Sequence, residues 1–195
     1  MVETRSRGVE GNGRLTALTG IALLVLLAAE GITILRIQPL LPLHFFIGLL
    51  LIPPLALKMA STGYRFARYY LREPDYHRAG PPPPLLRMVA PVVVASTVVV
   101  FGTGVELWLL GLRFGSLWLS AHKLSFLIWL LATAIHVLGH LARAARLALA
   151  DVQIHSAVPG TITRRSLVGA SLLLGLVLAL STLVWQSPFV SLSNN

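Results

Sequence analysis

Residues 122–140 read HKLSFLIWLLATAIHVLGH, an almost wholly apolar run interrupted by the imidazoles of His122, His136 and His140. Ionisable groups in such a segment are costly, so they are the first residues to ask for chemistry. On a helix advancing about 100° and 1.5 Å per residue, the fourteen steps from His122 to His136 cover about 21 Å and fall about 40° short of whole turns. The eighteen steps to His140 return to the starting angle. All three rings therefore line one stripe, with Ser125, Trp129, Thr133 and Gly139 close to it. Imidazoles on one stripe can ligate a metal, relay protons or make polar helix contacts. The His136/His140 pair has i, i+4 spacing suited to chelation, but no carboxylate or third ligand lies near it in sequence.

A second stretch repeats the pattern. In LPLHFFIGLLLIPPLALKMASTGYRFARYY, residues 41–70, the count from His44 reaches Lys58 after fourteen residues and Thr62 after eighteen. Gly48 lies one turn from His44 on the same face. If both stretches cross a membrane in the same direction, equal spacing means equal depth, although Pro53 and Pro54 can kink the second. Two layers of nitrogen ligands about 20 Å apart on two helices fit haem b, whose iron takes axial ligands from opposite faces. Gly48 and Gly139 would let a flat macrocycle approach the backbone.

The elements that position these residues follow from composition. Of 195 residues, 55% are hydrophobic and 12% charged, about half the charge of a soluble domain. Lipid must face much of the chain. With no cysteine, disulfides, thiolate metal sites, iron–sulfur ligation and CxxCH haem attachment are excluded. The formal charge of +9 reads as membrane topology, not as nucleic-acid binding. The pattern predicts an all-α membrane protein: a bundle of about five transmembrane helices at about 15–35, 43–70, 88–112, 117–146 and 167–185. These form one domain, 15–186, between a basic tail, 1–14, and a short C-terminal tail, 187–195. The first span is too long for a typical signal-peptide core and lacks a clear cleavage site, which favours a retained helix.

Arg5, Arg7, Arg14, Arg65, Arg68, Arg72, Arg78, Arg87, Arg143, Arg146, Arg164 and Arg165 fall on one side of these spans; Arg36, Arg113 and Lys123 fall on the other. The positive-inside rule then puts the N-terminus in the cytoplasm and the C-terminus outside. The proline-rich segment EPDYHRAGPPPP, residues 73–84, reads as a stiff extended connection. The glycines of GTG (102–104) and GASLLLG (169–175) suit close helix contact.

With two histidine-bearing helices and a fourteen-residue register, the chain resembles the membrane-embedded cytochrome b proteins of bacterial respiratory chains, including the di-haem subunits that serve hydrogenases and formate dehydrogenases. The resemblance covers residues 41–70 and 117–146. It implies one or two haem b groups in the inner cell membrane, carrying electrons between a partner oxidoreductase subunit and quinone, so that the chain is an electron-transfer subunit more than a self-contained enzyme. By position, His44 and His122 would clamp an outer haem, and His136 or His140 would hold an inner one. The chain departs from the di-haem pattern at Lys58, which stands where a histidine is expected. Lys58 could ligate the inner iron if neutral, or it could snorkel to the interface.

Two competitors remain open: a histidine-lined transporter or proton pathway, and a non-haem structural subunit. Glu30 and Glu106 would accept protons at a quinone pocket or pair with Arg36 and Arg113. Arginines and Lys123 near the ends are candidates to meet haem propionates. Trp108, Trp118 and Trp185 fit an outer aromatic belt. His77 and His155 read as solvated loop residues.

Overall fold

The computed structural model describes residues 7–152 and 158–185. The fold is 88% helical, with no strand among the described residues. Five helices are long and apolar enough to cross a membrane: α1 (Arg7–Leu35), α2 (Ile37–Tyr70), α4 (Pro84–Leu110), α5 (Leu117–Val152) and α6 (Thr161–Thr182). A short α3 (Pro74–Arg78) joins α2 to α4. Large apolar side chains such as Val98, Leu138 and Leu173 point outward, as lipid contact requires. The chain is a multi-pass membrane protein. His155 and the C-terminal tail, 187–195, lie outside the described residues.

The helices run beyond the apolar spans because their polar ends are held by partners. Helix α1 begins at Arg7, inside the stretch read as a tail, and its first turns carry the Glu10–Arg14 ion pair of 2.7 Å. Helix α2 begins at Ile37, with Arg36 alone between it and α1. Pro39 sits in its first turn, where a missing N–H removes no helical bond. Helix α4 starts on Pro84 for the same reason. Helix α5 continues to Val152, and α6 starts at Thr161 after Gly160, which adopts φ 83°. The segment 73–84 is not uniformly extended: residues 74–78 turn into α3, and Tyr76 is buried with its hydroxyl 3.5 Å from the Gly8 carbonyl. His77, exposed, stacks on Tyr69 with ring centroids 5.4 Å apart.

Helix α2 stays continuous through Pro53 and Pro54. Pro54 removes the N–H that would have bonded the Leu50 carbonyl. Gly175 of α6 sits against that carbonyl so closely that a Cβ there would overlap it. In lipid, helices associate through such close packing, not through the hydrophobic effect.

Helix α1 packs on α2 and α5, and α4 packs on α5 and, less extensively, α2. Helices α2 and α5 thus face each other across the interior with at most marginal direct packing, while α6 covers α2 and α1. Leu23, Ile47 and Leu51 fill the middle of the bundle with Phe46 and Phe101. A second cluster joins Leu49, Trp108 and Ala179. Trp108 is therefore not part of a lipid-facing belt: it is buried, its indole filling the seam between α2, α4 and α6. Trp118 and Trp185 are exposed.

Asp151 anchors the arginine-rich end. It is fully buried and accepts hydrogen bonds from Arg164 through Nε at 3.0 Å and through Nη2, with Arg14 Nη1 3.7 Å away. Arg164 also donates to the Pro159 and Val158 carbonyls, and Arg165 to the Asp151 carbonyl. One carboxylate thereby ties α1, α5 and the start of α6 together.

Candidate functional site

The polar groups of the interior fall into two layers, and α2 and α5 contribute to both. In the first layer the His44 and His122 rings approach to a centroid separation of 6.3 Å, with ring planes at 88°. Their matched depth, expected from the fourteen-residue register, is what the fold provides. Each ring is held by a threonine from the helix next to its own. Thr33 of α1 donates its hydroxyl proton to the Glu30 carbonyl (2.6 Å), so it can only accept from His44 Nδ1, 2.9 Å away. Glu30 Oε1 lies 3.0 Å from the same nitrogen. Thr103 of α4 donates to the Val99 carbonyl (2.7 Å) and accepts from His122 Nδ1 at 3.0 Å, with the Val100 carbonyl beside the ring. Both imidazoles therefore carry their proton on Nδ1 and keep a lone pair on Nε2. That is the tautomer a metal-ligating histidine adopts when its other nitrogen is anchored by a neighbour. Gly104 belongs to this layer too, since a Cβ there would come within 3.2 Å of His122 Cε1.

The two rings meet edge to face in a T-shaped contact. An imidazole–metal–imidazole unit needs about 2 Å for each nitrogen–metal bond and about 1 Å from each nitrogen to its ring centre, so about 6 Å between centroids. Among the described residues no three or more His, Cys, Asp or Glu side chains gather to hold a metal ion. A pair of protein ligands suits an iron whose remaining positions are filled by a macrocycle.

The second layer is different. Lys58 Nζ donates to the Thr16 carbonyl of α1 at 2.6 Å and lies 2.8 Å from where a Cβ on Gly20 would be. Thr16 Oγ1 and Ser61 Oγ are 3.0 Å apart, and Asn12 Nδ2 donates to the Ser61 carbonyl at 3.1 Å. His136 and His140 stand side by side on α5 with centroids 4.7 Å apart, both within electrostatic reach of Lys58. Two adjacent rings of one helix cannot take opposite faces of one iron, and the Lys58 ammonium is engaged on α1. This layer does not fit bis-ligation of a second haem.

Of the two glycines read as a cradle for a macrocycle, Gly139 has Leu86 packed against it, while Gly48 has only an ordinary side-chain contact. A Cβ on Gly139 would meet Leu86 Cδ2 at 2.6 Å, because α4 packs there. One on Gly48 would meet Glu30 Oε1 at 3.6 Å. Glu30 bonds His44 and not Arg36, and the Glu106 carboxylate is buried without a partner among the described residues instead of pairing with Arg113. Ser125 Oγ donates to the His122 carbonyl and Trp129 Nε1 to Thr97 Oγ1 at 2.9 Å, which fixes α5 on α4. A shallow apolar groove bounded by Phe45, Leu49, Trp108 and Leu183 is lined by no ionisable residue.

Thr33, Thr103 and Gly20 were not legible as site residues. Their only signals were a threonine three residues after Glu30, a threonine between two glycines, and a glycine in an apolar run. What fold and site define is an all-helical, multi-pass membrane protein with two interior polar layers. No protein-family model, curated protein or solved structure matches the chain.

Proposed function

We propose that the chain is a b-type membrane cytochrome that holds one haem b between His44 and His122 and carries electrons between a partner oxidoreductase and quinone. The observation that carries this reading is the pair of Nδ1-anchored imidazoles with centroids 6.3 Å apart, supplied by the two helices that face each other across the bundle. When bound, the haem supplies one-electron chemistry and bis-histidine ligation favours electron transfer over oxygen binding. The chain's own part is to fix both ligands. Thr33 and Thr103 select the Nε2 lone pair, and Glu30 places a carboxylate 3.0 Å from His44 Nδ1 that helps orient the ring.

The same reading places the arginine-rich ends of α1, α2, α5 and α6 in the cytoplasm of an inner cell membrane, by the positive-inside rule. With five crossings the termini then lie on opposite faces. A continuous proton or ion path is less well supported: Leu51, 1% exposed, stands midway between His44 and Lys58 on α2, within the apolar cluster that separates the layers.

The test is a dithionite-reduced minus air-oxidised spectrum of protein purified from haem-replete cells. A sharp b-type α band is expected, and it should vanish in His44→Ala and His122→Ala while persisting in His136→Ala. A folded, colourless protein overturns the reading.

A further inference from the structure

Among the described residues the second polar layer is rich in cations and lacks acid. Among the described residues Lys58 has one hydrogen-bond partner, the Thr16 carbonyl, and no carboxylate within ion-pair reach. Its ammonium can donate three bonds. His136 Nδ1 and Thr133 Oγ1, on the α5 face across from it, are buried without a partner among the described residues. Arg65 and Arg143 add charge beside His140, toward the arginine-rich end. A buried ammonium and unpartnered polar atoms without a counter-charge are expensive, and such groups are normally completed by a ligand, ion or water.

We infer that Lys58, His136 and His140 form a binding site for an anionic oxygen ligand, the phosphodiester of an acidic phospholipid. The position of the site favours a lipid. The site lies between α2 and α5, which have at most marginal direct packing, about 10 Å deeper than Arg65 by helical rise. Basic pockets between membrane helices bind anionic headgroups in this way. The proposal uses none of the His44/His122 layer and does not depend on the haem.

The experiment is native mass spectrometry of the full chain in detergent, titrated with short-chain phosphatidylglycerol, short-chain phosphatidylcholine or inorganic phosphate. One phosphatidylglycerol per chain should be retained, about tenfold or more tighter than phosphatidylcholine, and Lys58→Met should lose that preference. His140→Gln, at a half-buried position, should weaken it too and serves if Lys58→Met fails to fold. Equal retention by wild type and a folded variant overturns the site. Displacement of the lipid by millimolar phosphate overturns the lipid as its source. A second haem per chain, lost in Lys58→Met, assigns these residues to a cofactor and also overturns the proposal.

Discussion

Replacing Asp151 tests how the arginine-rich end is held. Its carboxylate is fully buried, and the Arg14 and Arg164 side chains around it are 9% and 8% exposed. Asp151→Ala removes the charge that both guanidinium groups face. Breaking a buried pair by deleting one partner costs about 3–5 kcal/mol. Arg14 keeps Glu10, and Arg164 keeps the Pro159 and Val158 carbonyls and Thr161 Oγ1, so the low end, about 3 kcal/mol, is expected. Asp151→Asn is milder. Oδ1 remains an acceptor for Arg164, and the new NH2 takes the place of Oδ2, which has no partner among the described residues. Only the charge is lost, at about 2 kcal/mol. Unfolding of purified protein in detergent, followed by helicity, should rank wild type above Asn above Ala. An Ala variant within about 1 kcal/mol of wild type, or one more stable than Asn, would refute the staple.

Gly175→Ala should destabilise by about 1–3 kcal/mol, because its Cβ overlaps the Leu50 carbonyl; Gly169→Ala, with open space around it, should be neutral or stabilising in the same assay, and equal losses would show that the α2–α6 contact is not tight. Thr103→Val should weaken haem retention about 10–100-fold while helicity is unchanged, and Thr103→Ser should restore it; full retention in Val would mean the hydroxyl does not hold His122. The chain has no cysteine, so Ser116→Cys and Arg72→Cys give clean topology probes. An impermeant maleimide on intact cells should label the first and spare the second, and the reverse pattern inverts the proposed orientation.

The five helices and the matched depth of His44 and His122 were readable because both rest on periodicity: apolar length gives the span, and a shared fourteen-residue step gives a shared layer. The helix ends were not readable, because Arg14, Asp151 and Arg164 are polar residues whose burial depends on partners 13 or more positions away. The same holds for the site's supports. Thr33 and Thr103 act through a helix other than that of the histidine they hold. Gly139 looked like room for a macrocycle, yet space beside a glycine belongs to whatever packs there, and here it is Leu86. Lys58 kept its depth but turned toward α1, a choice set by the Thr16 carbonyl and by the gap at Gly20.

Haem content per chain tests the central claim most directly. The protein would be purified from haem-replete cells and its haem quantified against chain concentration, beside His44→Ala, His122→Ala and Lys58→Met. The account predicts one haem b per chain in wild type and in Lys58→Met, and none in either histidine variant. No haem in folded wild type, or haem retained without His44 and His122, would contradict it.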